Sequence, residues 1–437
     1  MVNIQNTKVA LISLGCDKNT VDSEMMLGML AQAGAVFTPD LAQANIIIIN
    51  TCGFLQDAVA ESKEEIEAAI AYKKAGTCRA IVVTGCAAVR HRADFEADEN
   101  IDIVLGVSEY DKLIPLLVGS ATVPGRPPAA RVLSTPKHYA YLRIAEGCNK
   151  HCTYCTIPQI RGAYESRPMP EILSEAEYLA RLGVKELILI AQDTTLYGTD
   201  LGDDQQLHAL LNQLSKIDGI KWIRLLYCYP EHIYDDLITE IAINPKVLPY
   251  IDMPIQHASD KILKLMNRQS SAEILREKIA AIRAAIPHIA LRTTLIVGFP
   301  DETKKDFQDL CDFVEEIKFD NLGVFPYSRE EGTSADKMDN HLEEKTKLAR
   351  RDRLMKIQQQ ISADKLAEKD GRIFEVVIEG EEEQGVYFGR MSAQAPDIDG
   401  LTFVSSPRPL NINEIVRVQI IETWEYDMMG ELYESAK

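Results

Sequence analysis

Short, almost wholly apolar runs alternate with amphipathic stretches along the first 119 residues. Val9 to Leu14, Ile46 to Ile49, Ile81 to Val83 and Ile101 to Leu105 are such runs. They lack the in–out alternation of a half-exposed strand, so they predict strands buried on both faces. Helical patterns lie between them. One begins at Asn19 or Thr20 and stops before Gly34. Another starts at an Asp57 cap and ends at Ala75, with Gly76 beyond, and a third spans Tyr110 to Val118. Strand–helix alternation of this kind predicts an open parallel α/β sheet over residues 1–119.

Residues 120–137 break the pattern with Pro124, Gly125, Pro127, Pro128 and Pro136, and predict a linker. The alternation then resumes on a larger scale over 138–370. Candidate strands are Tyr141 to Ala145, Glu186 to Ala191, Trp222 to Tyr227, Tyr250 to Met253, Leu291 to Val297 and Leu322 to Phe325. Helices such as Ile172 to Leu182 and Ala272 to Ala285 fall between them. Six βα units predict a partial or full parallel barrel, the central partial (βα)6 unit of an α/β chain, with its chemistry at the strand C-terminal ends. A charged helix from Glu343 to about Asp370 ends at Gly371. Residues 371–437 change period: Phe374, Val376 and Ile378 alternate with polar neighbours, as do Val416, Val418 and Ile420, which predicts a small antiparallel β-barrel.

Nine cysteines carry the candidate chemistry. Cys148, Cys152 and Cys155 form a CxxxCxxC loop directly after the first barrel strand. Iron–sulfur clusters ordinarily take four thiolates. Three leave one iron open, and by analogy with zinc an open position marks a catalytic metal. A structural zinc site is the bland alternative, but no second CxxC or His pair follows. Cys16, Cys52 and Cys86 each follow a separate apolar run, in the strings Leu14-Gly15-Cys16, Thr51-Cys52-Gly53 and Gly85-Cys86. Parallel sheets form ligand sites at strand C-terminal ends. Three equivalent positions therefore predict a second three-thiolate site, with the adjacent glycines leaving room for a bulky inorganic group. The bland alternative is three core thiols. Cys78, Cys228 and Cys311 lack such a pattern and are expected in the core.

Charge narrows the partners. Lys and Arg number 47 against 66 Asp and Glu, a formal net of -19. So acidic a chain is unsuited to gripping nucleic acid over its whole surface. The C-terminal segment from Gly371 holds 5 Lys/Arg and 13 Asp/Glu, a net of 5 − 13 = −8. One basic stretch opposes this trend: Lys345, Lys347, Arg350, Arg351, Arg353 and Lys356 cluster around a lone Asp352, expected as a solvated helix face. No apolar run is long enough to span a membrane, and the first residues lack a secretory pattern. A cytoplasmic, reducing location is therefore expected.

The CxxxCxxC loop after a first barrel strand resembles the radical S-adenosylmethionine superfamily. Together with Cys16, Cys52 and Cys86 upstream and a terminal β domain, the whole chain resembles the methylthiotransferase family. That family joins an N-terminal methylthiotransferase domain, a radical domain and a TRAM domain. The resemblance implies two [4Fe-4S] clusters and S-adenosyl-L-methionine as cofactors. Cys148, Cys152 and Cys155 would hold the radical-generating cluster, and Cys16, Cys52 and Cys86 the auxiliary one. It also implies replacement of a C–H bond by C–SCH3 through a 5'-deoxyadenosyl radical, and an external electron donor.

Lower in specificity are Gln192 and Asp193 after a strand, Gly298 before Pro300, and Arg161 and Arg167. These are expected near the S-adenosylmethionine, the arginines by pairing a carboxylate. The strings Ser13-Leu14-Gly15-Cys16-Asp17-Lys18-Asn19, Glu146-Gly147-Cys148-Asn149, Tyr229-Pro230 and Asp252-Met253-Pro254-Ile255-Gln256-His257 resemble the branch that modifies the β-carbon of an aspartate in ribosomal protein uS12. The acidic terminal domain fits a basic protein substrate. Two alternatives stand beside it: the same chemistry on a tRNA adenosine, and a non-catalytic metal-cluster protein that binds RNA or ribosomes.

Overall fold

Three sheets in three successive stretches of chain form the framework of the computed structural model, which describes residues 4–119, 131–202 and 206–434. The first contains β1 (Lys8–Ser13), β2 (Val36–Phe37), β3 (Ile46–Thr51), β4 (Ala80–Gly85) and β5 (Ile103–Val104). Their order is β2-β1-β3-β4-β5 and every pairing is parallel. Every residue of β3 and β4 is buried. Ile47 and Ile49 enter one core, and Ile46 and Ile48 enter another on the opposite face. The two faces are covered by helices, which is why the strands read as unbroken apolar runs.

The second sheet contains β6 (Tyr139–Arg143), β9 (Glu186–Ile190), β10 (Trp222–Leu225), β11 (Val247–Asp252), β12 (Ala290–Val297) and β13 (Asn321–Pro326). They run parallel in the order β13-β12-β11-β10-β9-β6. β6 and β13 are unpaired on their outer edges, so the barrel is partial. A small antiparallel bracket, β7 (Ala145–Glu146) against β8 (Glu165–Ser166), pins the base of the loop between them. The third sheet is a closed barrel of β14 (Ile373–Glu383), β15 (Val386–Met391), β16 (Thr402–Ser405), β17 (Ile415–Thr423) and β18 (Met428–Leu432).

Several local expectations need correction. The terminal barrel is mixed rather than antiparallel, because β16 and β18 close it in parallel. The first helix begins at Asp17, which puts Cys16 at its N-cap position. The second is Gln56–Lys74, preceded by Leu55. Asp57 lies in its first turn and does not cap it. The expected helix over 110–118 is a 3-10 turn, Tyr110–Lys112, leading into Leu113–Val118. The linker expected at 120–137 falls outside the described residues as far as 130. Arg131, at its far end, is buried between Glu24 and Glu175, 2.6 Å from the latter, and so ties the first sheet domain to the barrel.

The basic stretch is also not one solvated face. It lies on the helix Glu344–Ala367, which packs on the barrel edge. Lys347 and Arg350 are buried: Lys347 Nζ donates to the Tyr327 carbonyl at 2.8 Å, and Arg350 pairs with Glu302 at 2.7 Å. Lys345, Arg353 and Lys356 stay exposed.

The terminal barrel docks through buried charge. Glu186, at the start of β9, accepts from Arg224 Nε at 2.6 Å and from Arg390 Nη2 of β15 at 2.7 Å. Both arginines are fully buried. Tyr250 donates to Asp399 at 2.7 Å in the same interface. No helix among the described residues is long and apolar enough to cross a membrane.

Candidate functional site

The two cysteine sets arise at strand ends. β1, β3 and β4 are neighbours in register: Ser13 pairs with Asn50, Asn50 with Thr84, and Thr51 with Gly85. Each strand then delivers its cysteine within a few residues, Cys52 and Cys86 immediately and Cys16 three residues on. The glycines beside them allow close approach of the loops to one another. A Cβ at Gly15 would lie 2.9 Å from Cβ of Cys52, and one at Gly53 would lie 2.4 Å from the Ala87 nitrogen. They let the three cysteine loops close on one another, where any side chain would hold them apart. Exposure decreases across the set: Cys16 is exposed, Cys52 half-buried and Cys86 buried. Burial pushes the Cys52 thiol up and the Cys86 thiol to about 11, the latter against the pull of Arg161.

Cys148, Cys152 and Cys155 lie in the loop between β7 and β8. Each sulfur has a polar neighbour. The Lys150 amide approaches Cys148 Sγ at 3.4 Å, the Ile157 amide Cys155 Sγ at 3.4 Å, and the Tyr229 hydroxyl lies 3.5 Å from Cys152 Sγ. The Tyr229 ring carries two cation–π contacts, from Lys150 Nζ and the Arg268 guanidinium, each 3.9 Å from its centroid. Burial pushes Cys148 up and Cys155 to about 12.

Burial disfavours the thiolate at Cys148 and Cys155, and a nearby positive charge, such as a bound metal group would supply, would favour it. A single ion would draw its ligands to within about 2.3 Å of one point. Among the described residues no three His, Cys, Asp or Glu side chains converge in that way. Each set offers three thiols, which would fit a cluster that leaves one position open to an outside ligand.

Arg161, from the helix Ile157–Arg161 that follows the CxxxCxxC loop, reaches across to the first domain beside Cys86. Its Nη2 donates to Asn19 Oδ1 at 2.7 Å and lies 3.8 Å from Cys86 Sγ and 3.3 Å from Asp22, while Nη1 reaches Glu146 at 2.9 Å. Arg143 of β6 pairs with the same Asp22 and Glu146. Burial opposes ionisation of Glu146. Arg143 and Arg161 overcome it and hold the carboxyl below its ordinary range. This charged seam went unnoticed in the sequence, because Asn19, Asp22, Glu146 and Arg161 share no spacing rule.

The remaining expected residues separate by surroundings. Gln192 donates to Glu146 Oε1 at 2.5 Å, and its own carbonyl oxygen is buried without a partner among the described residues. Asp193 is fully buried and occupied, accepting from Thr195 and pairing with His232 at 2.8 Å. Arg167 pairs with Glu175 at 2.8 Å and donates to the Arg143 carbonyl at 2.6 Å. Gly298 is where the long helix crosses β12: a Cβ there would lie 2.2 Å from Lys347 Cγ. Cys78, Cys228 and Cys311 sit in hydrophobic cores.

Comparisons with known proteins divide the chain as the sheets do. Residues 142–314 match the Radical SAM superfamily, residues 8–106 the Uncharacterized protein family UPF0004, and residues 371–432 the TRAM domain. The fold is similar to that of a radical S-adenosylmethionine methyltransferase, TsrM, from Kitasatospora setae. The TM-score is 0.58 at 14% identity, over 76% of this chain and 77% of that one. Full-length relatives are much nearer in sequence. The ribosomal protein uS12 methylthiotransferase RimO of Clostridioides difficile (strain 630) is 47% identical over 98% of this chain and all of its own. That of Clostridium kluyveri is 48% identical over 98% of this chain and 99% of its own. With this identity along its whole length, and with paired cysteine triads at the ends of two parallel sheets, the chain belongs to the RimO family of radical S-adenosylmethionine methylthiotransferases.

Proposed function

We propose that this enzyme installs a methylthio group on the β-carbon of an aspartate of ribosomal protein uS12, with Cys148, Cys152 and Cys155 holding the radical-generating [4Fe-4S] cluster and Cys16, Cys52 and Cys86 the auxiliary one. The observation that supports this most is that neighbouring strands β1, β3 and β4 bring Cys16, Cys52 and Cys86 to one sheet edge, where Arg161, just beyond the CxxxCxxC loop, lies 3.8 Å from Cys86 Sγ. When bound, the clusters and S-adenosylmethionine supply the radical cleavage, the sulfur and the methyl group that turn C–H into C–SCH3.

The chain's own groups position and shield. Gln192 is held by Glu146, and its free buried carbonyl is suited to accept from the amino group of S-adenosylmethionine. Asp193, Arg167 and Gly298 would help to shape the S-adenosylmethionine site, the first two held by His232 and Glu175 and the last closely covered by Lys347. Arg161 keeps Asp22 and Glu146 compensated, so the space between the thiol sets carries no stranded charge. The Tyr229 hydroxyl is aimed at Cys152 Sγ.

Organisation follows the same reading: residues 1–119 hold the auxiliary site, 120–137 link, 138–370 form the radical domain with its trailing helix, and 371–437 form the TRAM domain. The net of −8 on the last (5 Lys/Arg, 13 Asp/Glu) is complementary to a basic substrate. An external one-electron donor and a cytoplasmic, ribosome-bearing compartment complete the requirements.

The test is mass spectrometry of uS12 and of tRNA hydrolysates after anaerobic incubation of the reconstituted enzyme with reductant and S-adenosylmethionine. A methylthio addition on a uS12 aspartate is expected. Unmodified uS12 with methylthioadenosine in tRNA would overturn the reading, as would failure to form any 5'-deoxyadenosine.

A further inference from the structure

The helix Gln56–Lys74 starts just after the Cys52 loop, and none of its own side chains caps it. A helix start leaves several N–H groups without partners. Here the Gln56 N–H donates to Oε1 of Glu330 at 3.0 Å, across 274 residues of sequence. Glu330 stands in the loop beyond β13 and is 2% exposed. Its Oε2 accepts from Arg90 Nη1 at 3.0 Å. That same nitrogen donates to the carbonyl of Gly53, next to Cys52, at 2.7 Å. Arg90 is the last residue of the helix Cys86–Arg90. One carboxylate from the radical domain thus holds both the Cys52 loop and the Cys86 helix. Ser328 Oγ steadies it at 2.8 Å. Across the molecule the Cys16 helix is held separately, by Arg143 and Arg161 on Asp22.

A buried ion pair of this kind contributes little net stability compared with apolar packing. Its use is to fix a register. We propose that Glu330 is a positioning residue that sets the depth of the Cys52 and Cys86 loops against the barrel mouth, so that hydrogen abstraction in one domain is matched by sulfur delivery from the other. This rests on the assignment of Cys16, Cys52 and Cys86 as the sulfur-delivering site.

Two variants test it. Glu330→Gln removes the charge from the Arg90 pair. Gln56→Pro keeps the Glu330 charge and removes the N–H, together with the Gln56 Nε2 hydrogen bond to the Arg329 carbonyl at 3.2 Å. Proline is favoured at a first helical position, and Leu55 already has the extended backbone that a residue before proline takes, φ −118 and ψ 154. In the cluster-free protein, amide exchange over residues 54–60 is expected to quicken about tenfold in Glu330→Gln, as loss of a charge-assisted hydrogen bond allows. Gln56→Pro should show a smaller increase.

In the reconstituted enzyme with uS12, 5'-deoxyadenosine formation should stay within about twofold of wild type. The ratio of 5'-deoxyadenosine to methylthiolated uS12 should rise at least about threefold, since small misplacements at a reacting centre are costly. An unchanged ratio in both variants would overturn the proposal. So would a parallel fall of both products, which is the mark of a merely structural residue. Wild-type enzyme that forms no 5'-deoxyadenosine would instead count against the proposed function.

Discussion

The guanidinium of Arg161 lies 3.8 Å from the sulfur of Cys86 while its other end holds Glu146 at 2.9 Å, so one side chain touches both halves of the site. It is 7% exposed and compensates the buried carboxylate of Asp22 and the half-buried one of Glu146. Arg161→Met is therefore expected to cost about 2–3 kcal/mol, because it leaves the buried Asp22 and the half-buried Glu146 with Arg143 as their shared cation, supported by Tyr110 and Gln192. Urea unfolding of the cluster-free protein measures this. Arg161→Lys should recover only part of the loss, since an ammonium cannot span the same fork.

Tyr229 offers an electronic test. Its hydroxyl lies 3.5 Å from Cys152 Sγ, and Lys150 and Arg268 each lie 3.9 Å from its ring centroid. A hydrogen bond to a cluster ligand favours the reduced, more negative state. Tyr229→Phe is expected to lower the midpoint potential by ~40 mV, from about 1 kcal/mol of lost preference. Potentiometric titration followed by electron paramagnetic resonance would show it. An unchanged potential would mean the hydroxyl does not donate to that sulfur.

His257 makes stability depend on pH. Its ring is fully buried, Nδ1 accepts the Ser259 amide at 2.9 Å, and Nε2 has no partner among the described residues. Burial lowers its pKa from 6.5 to about 3. The unfolded chain then binds the proton more readily than the folded one. The contribution of His257 is complete above pH 6.5 and declines as pH falls toward about 3, by about 1.4 kcal/mol per pH unit. Unfolding free energies at pH 7, 6 and 5 should show that slope, and His257→Gln should flatten it by the same amount.

The seat of the terminal barrel depends on Glu186. Replacing it by Gln leaves the fully buried Arg224 and Arg390 without their shared carboxylate. A loss of about 3–5 kcal/mol is expected. Differential scanning calorimetry should show the terminal barrel melting earlier than the other two domains.

The long-range order of the fold was legible because burial on both faces produces unbroken apolar runs. All six strands of the second sheet lie where those runs fall. The cysteine sets were legible for a related reason: parallel strands end on one edge, and Cys16, Cys52 and Cys86 follow three that are neighbours in it. What the sequence hid depends on distant partners. Asp57 looks like a cap, but the residue that satisfies the helix start is Glu330. Arg350 looks like part of a solvated basic face until Glu302 is seen beneath it. The parallel closure of β16 on β18 follows no local pattern either, since each strand alternates as an antiparallel one would.

The Glu330 contact also dates events during synthesis. At about 5–20 residues per second, Glu330 is made roughly 14–55 s after Gln56. For that interval the loop bearing Cys52 has neither its helix cap nor the carboxylate that pairs Arg90. The first domain to leave the ribosome is therefore the last to have its cysteine loops set firm, and it waits for the final strand of the second domain to do so.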